Sequence, residues 1–121
     1  MAENTPTELH LHQRSRVLEI AFGEDRFQLS CEYLRVHSPS AEVMGHGPGQ
    51  ETLQVGKEDV AIDAIEPVGN YAVKLVFSDG HDTGIYSWDY LYELGRDFEA
   101  RWGRYLGRLK EAGIERKVVE N

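Results

Sequence analysis

Two pairs of short apolar segments, each joined by a turn signal, constrain this chain more than any other feature. Arg16 to Phe22 alternates, with Leu18, Ile20 and Phe22 on one side and Val17, Glu19 and Ala21 on the other. A period of two is that of a strand with one buried face. Gly23-Glu24-Asp25 supplies turn chemistry and Arg26 to Ser30 alternates again, which predicts a β-hairpin. Val60 to Val68 and Tyr71 to Phe77 are apolar and β-branched and are joined by Gly69-Asn70, which predicts a second hairpin. Asp79-Gly80 is a tight-turn signal leading into a further strand over Thr83 to Tyr86.

Helical signals lie between and after the hairpins. Ser30 is placed to cap a short helical turn from Cys31 to Arg35. Ser38-Pro39-Ser40 breaks regularity, and His46 to Gln50 reads as an irregular loop. Ser87 can cap a helix from Trp88 to Leu94, with Gly95 as its stop. Asp97 can cap a second helix reaching about Ala112, closed by Gly113. In that helix Phe98, Trp102, Tyr105, Leu106 and Leu109 form one apolar stripe at 3.6 residues per turn. The expected fold class is α+β: antiparallel β-hairpins forming a sheet, with C-terminal helices packed on it. Residues 1–14 read as a mobile tail whose end can join a first strand, 15–112 as one domain, and 113–121 as a C-terminal tail.

Charge and cysteine content exclude several function classes. The 121 residues carry 13 basic and 21 acidic side chains, a net charge of −8. Such a chain repels nucleic-acid phosphates, so no nucleic-acid partner is expected. Cys31 is the only cysteine, which excludes an intrachain disulfide and a multi-cysteine metal site. Its neighbour Glu32 disfavours a thiolate, so Cys31 reads as a small, partly buried side chain. No apolar run approaches the roughly 20 residues that span a bilayer, and Met1 to His12 has no signal-peptide core. No membrane partner and a cytoplasmic location are therefore expected. The charge is uneven. Residues 41–95 carry 2 basic and 10 acidic side chains, whereas 96–121 carry 7 and 5. Arg101, Arg104 and Arg108 flank the apolar stripe of the last helix. They read either as a solvated face balancing an acidic sheet or as a docking surface for an acidic partner.

Catalytic patterns are absent. No histidine has an acidic residue two positions later, as a non-haem iron oxygenase site would require. No Gly-x-Ser-x-Gly elbow exists, and the nearness of Ser78, Asp79 and His81 in sequence is not triad geometry. The Gly45–Gln50 loop matches no phosphate-binding pattern, and Pro48 removes a backbone donor from it. His10 and His12 share a face if their segment is a strand. His37, His46 and His81 are a weaker candidate metal site, formed only if their loops converge. Trp88 belongs to an aromatic cluster, Tyr86 to Tyr92, that serves either the core or a partner. Hairpin edges are exposed unless covered, and a homodimer is one way to cover them.

Several separate blocks, in order, carry a family resemblance. They are Tyr33 to Val43, Gly45 to Gln50, Asp79-Gly80-His81 and Gly84 to Leu91. Together they resemble the gamma-butyrobetaine hydroxylase N-terminal-like domain, in its small free-standing bacterial form, over about residues 10–112. In the carnitine-biosynthesis oxygenases that domain precedes an oxygenase barrel and carries zinc on Cys-x-Cys-x-x-Cys plus the histidine of an Asp-Gly-His turn. Laid on this sequence, those positions fall on Ser38, Ser40, Val43 and His81. Serine is a poor zinc ligand and valine is none, so the resemblance implies a degenerate site and no zinc cofactor. The oxygenase barrel has no counterpart here, so hydroxylation does not carry over and a non-enzyme is expected. Similar domains fused to iron–sulfur carrier ATPases suggest an accessory role.

Three functions follow, in order of preference. The first is a non-catalytic accessory module docking a protein partner through Arg101, Arg104, Arg108 and Trp88. The second is a metal-binding or redox accessory protein using His37, His46 and His81, linked to iron–sulfur systems. The third is a small enzyme with an unrecognised site.

Overall fold

The computed structural model describes residues 5–45, 47 and 49–117. Two three-stranded antiparallel sheets share one apolar core. The first contains β1 (Glu8–His12), β2 (Val17–Phe22) and β3 (Asp25–Ser30). The second contains β4 (Ile62–Val68), β5 (Ala72–Phe77) and β6 (Ile85–Ser87). Each sheet is a meander in which neighbours in sequence are neighbours in space. The predicted α+β class and both hairpins are present, and the hairpins are divided between two sheets.

Each meander runs into a helix with no intervening loop, because the serine that ends its third strand also caps the helix. Ser30 accepts from the Tyr33 amide and starts α1 (Cys31–Val36), and Ser87 accepts from the Tyr90 amide and starts α3 (Trp88–Arg96). The short helix α2 (Ala41–Met44) is capped by Ser40, and α4 (Phe98–Glu111) closes the described elements. Sequence periodicity missed α2, since four residues are too few to show a helical stripe.

The core draws on both sheets and on α1 and α3. Leu18 and Ile20 of β2 meet Leu75 and Phe77 of β5, Leu34 of α1, and Leu91 and Leu94 of α3. All six residues of α1 are buried, including Glu32 and Arg35. Two of its carbonyls accept from side chains: Tyr86 donates to Leu34 O at 2.6 Å, and Nδ1 of the capping His37 donates to Tyr33 O at 2.9 Å. Its charges are also paired. Arg35 Nε donates to Asp79 at 2.9 Å, and Glu32 is gripped by both arms of the Arg116 guanidinium.

Glu8–His12 is a full strand, in register with Val17 to Ala21, so the later part of the expected tail joins the first sheet. Three boundaries differ from the sequence reading. The last strand begins at Ile85 rather than Thr83, because the Thr83 hydroxyl bonds Ser40 and Gly84 lies against Ser38. Helix α3 continues through Gly95 to Arg96. That glycine gives room to the Phe27 ring, which a Cβ would overlap. Beyond Ala112 the chain stays attached: Ile114 packs beside Tyr105 and Leu109, and Lys117 pairs with Asp59. The apolar stripe of α4 is only half used, since Tyr105 and Leu109 are buried while Phe98 is 37% and Leu106 38% exposed.

Candidate functional site

Ser38, Ser40, Val43 and His81 come together where the β5–β6 turn meets the segment after α1. The Ser38 hydroxyl lies 2.8 Å from His81 Nε2 and accepts from the Ser40 amide at 3.2 Å. The Ser40 hydroxyl lies 2.7 Å from that of Thr83, and Val43 is buried. Glu42 approaches His81 Nδ1 at 3.5 Å. Serine, imidazole and carboxylate thus follow the order of a nucleophilic triad. Ser38 is 0% exposed, however, so its hydroxyl ties two segments together and is closed to a substrate.

The turn itself is locked by charge. Asp79 accepts from Arg35 at 2.9 Å, from Lys57 at 2.7 Å and from the His81 amide at 3.2 Å. Burial pushes the Asp79 carboxyl up, but those donors outweigh it and hold it down at about 2. Burial lowers the pKa of His81 and, with help from the neighbouring Arg35, outweighs the pull of Glu42.

One imidazole, two hydroxyls and a valine do not make a zinc site, which wants thiolate, imidazole or carboxylate donors. His37 and His81 bond different partners, Tyr33 O and Ser38 Oγ, and His46 lies outside the described residues. Among the described residues, no three His, Cys, Asp or Glu side chains are grouped to share a metal. His10 and His12 do share a face, their rings stacked at 4.4 Å, and His12 bonds Glu19. Cys31 is buried, and desolvation rather than Glu32 pushes its thiol up to about 11.

The arginines of α4 line a cleft. Its opposite walls are Val36 and His37 at the C-terminal end of α1, Val43 and Met44 of α2, and the segment through Thr52 and Gln54. Tyr90 and Tyr105 form its floor, with hydroxyls donating to His37 O at 2.6 Å and to Gln54 O at 2.8 Å. The cavity at its centre is about 70 Å³. Shallow grooves lined by Arg101, Arg104 and Arg108 continue from it along the helix.

The three guanidinium groups are engaged to different degrees. Arg108 donates to Glu51 O at 3.2 Å. Arg101 stacks over Tyr90 at 5.8 Å, and Asp97 lies 4.0 Å from its Nε, beyond hydrogen-bond reach. That Nε is buried with no hydrogen-bond partner among the described residues, an omission that ordinarily costs about 1–3 kcal/mol. Arg104 is exposed and makes no hydrogen bond or ion pair among the described residues. Burial, and then the nearby Arg101 and Arg104, lower the pKa of His37 despite its bond to Tyr33 O and so favour the neutral ring. The donor on Nδ1 leaves Nε2 with its lone pair.

The arginine spacing pointed to this face, but its far wall was invisible to sequence reasoning. Only the tertiary fold brings Thr52 and His37 to α4. Trp88 has another role: its indole donates to Asn70 O at 3.0 Å, fastening α3 to the β4–β5 turn. It is not among the residues lining the cleft.

The chain matches the profile of the family described as gamma-butyrobetaine hydroxylase-like, N-terminal, over residues 9–92. Two NMR solution structures are similar to it. One is 47% identical, covering 99% of this chain and 95% of its own, at a TM-score of 0.83. The other is 50% identical, covering 98% and 92%, at 0.78. A crystal structure from Acidithiobacillus ferrooxidans, of a protein with unknown function in the DUF971 family, is 39% identical. It covers 75% of this chain and 92% of its own, at a TM-score of 0.63. A search of curated proteins gave no significant match. The profile match ends before α4, so the cleft joins family-matched walls to a helix outside the matched range.

Proposed function

The chain belongs to the gamma-butyrobetaine hydroxylase-like N-terminal family, and from that premise we propose that it is a non-catalytic accessory module that docks an acidic protein partner on α4. One observation carries this reading. On a chain of net charge −8, three arginines line one cleft, and Arg104 has no hydrogen bond or ion pair among the described residues. A helix that merely balanced the acidic sheet would turn its arginines to those carboxylates. These line a cavity instead. Complementary charge speeds encounter and selects partners.

The histidine-based metal reading has less support, because His37 and His81 are each engaged by a different protein acceptor. Trp88 fits a partner contact less well than the arginines, since its indole N–H is already bonded. Affinity capture from the cells that make the protein tests the docking reading. We expect one enriched partner, lost when Arg101, Arg104 and Arg108 are changed to Glu with the circular-dichroism spectrum unchanged. Capture should also weaken with salt, since exposed charges are screened beyond about 8–10 Å at physiological ionic strength. Unchanged capture by the arginine variant would remove α4 from the interface.

A further inference from the structure

We propose that the cleft between α1, α2 and α4 receives one aliphatic carboxylate, an acidic side chain of the docked partner. This rests on the docking reading and narrows it to a single ligand group.

Size limits the occupant first. Drug-sized ligands sit in pockets of about 300–1,000 Å³, whereas the enclosed centre of this cleft is about 70 Å³ and opens into shallow grooves along α4. The enclosed centre has room for the end of one side chain.

Charge chooses among small groups. Arg101, Arg104 and Arg108 line the cleft with one carboxylate-bearing residue, Glu51. Asp97, beside Arg101, is already held through both oxygens by Arg96. The surplus is positive, so the occupant is an anion, and the titration below separates a carboxylate from a phosphate.

Donors and walls agree with an anion carried on an aliphatic stem. Among the described residues, the buried Arg101 Nε–H has no hydrogen-bond acceptor and the Arg104 guanidinium has no bonded partner. Guanidinium groups bind carboxylates through charge-assisted, geometrically specific hydrogen bonds. Val36, Val43 and Met44 offer an apolar wall for the methylenes that carry the acid. These walls distinguish the site from a surface arginine cluster, which would select charge without regard to the stem.

The test is an NMR titration of the full-length ¹⁵N-labelled protein with four probes. They are the capped peptide acetyl-Ala-Ala-Glu-Ala-Ala-amide, its Gln counterpart, butyrate and inorganic phosphate. We expect the Glu peptide to give saturable shifts confined to the cleft, at the Arg101 Nε–H and the amides of His37 and Thr52. The Gln peptide should bind about tenfold more weakly, as should the Glu peptide to the Arg104→Gln variant. Arg104 is exposed and has no bonded partner among the described residues, so that substitution leaves the fold intact. Absence of saturable cleft shifts, equal binding of the Gln peptide, or tighter binding of phosphate would each overturn the proposal. Butyrate binding as tightly as the Glu peptide would overturn the partner side chain as the source. Carboxylate binding without partner capture would bring down the docking reading alone. Capture lost on arginine reversal, with no carboxylate binding, would bring down the pocket alone.

Discussion

A Cβ at Gly95 would overlap the ring of Phe27, whereas one at Gly103 or Gly107 would meet nothing within 4 Å. All three glycines lie inside helices, so the same residue type has opposite consequences at different positions. Gly95→Ala should destabilise the protein by about 1–3 kcal/mol through overpacking. Gly103→Ala and Gly107→Ala should each stabilise it by about 1 kcal/mol, the helix-propensity difference. Urea denaturation measures both signs. From sequence, Gly95 looked like a helix stop, because glycine is a weak helix former and the ring facing it comes from a distant strand. Ser38 gives the second prediction at this scale. Its hydroxyl bonds His81 at a position where the resemblance places a thiolate. Elemental analysis of untagged protein should therefore find no stoichiometric zinc, and one zinc per chain would refute this.

The element that organises the molecule is α1, and it shows what was legible beforehand. Its start was, because the Ser30 cap is a local contact across three residues. Its full burial was not, because the compensating contacts are remote. Arg35 finds Asp79 44 residues away, and Glu32 finds Arg116 84 residues away. No periodicity or spacing rule reports pairings of that range. The tyrosine hydroxyls are equally remote, with Tyr86 reaching Leu34 O across 52 residues. Tyr86→Phe leaves that carbonyl buried without its partner and should cost about 1–3 kcal/mol. A lower midpoint in urea with an unchanged slope would show that the bond, and not the compactness of the denatured state, was lost.

For the whole molecule, the hairpins and the α+β class could be read in advance, while the assembly of the candidate cleft could not. Arg101, Arg104 and Arg108 are visible as a spacing, but their facing wall depends on α1, α2 and residues 51–54 packing beside α4. Half-buried His37 and buried His81 make stability depend on pH. Burial lowers His37 and His81 below the ordinary value of 6.5, so the unfolded chain takes up protons first. Stability rises with pH wherever the unfolded state binds more protons. The contribution of these two groups is therefore complete above about pH 6.5 and is lost as the pH falls below it. We expect the melting temperature to fall as pH drops from about 7 to about 5, with His37→Gln and His81→Gln each flattening part of the fall. Asp79 adds a separate decline at lower pH, between its ordinary value of 3.8 and about 2.

The pairing of Glu32 with Arg116 also has a consequence for synthesis. Ribosomes add about 5–20 residues per second, so the 84 residues between the two take about 4–17 s to make. Throughout that interval a nascent chain holds the glutamate of α1 without its counter-charge, and burying an ionised carboxylate alone is costly. The hairpins can form as they emerge, but the helix at the centre of the fold is electrically complete only after α4 and the segment beyond it have left the ribosome.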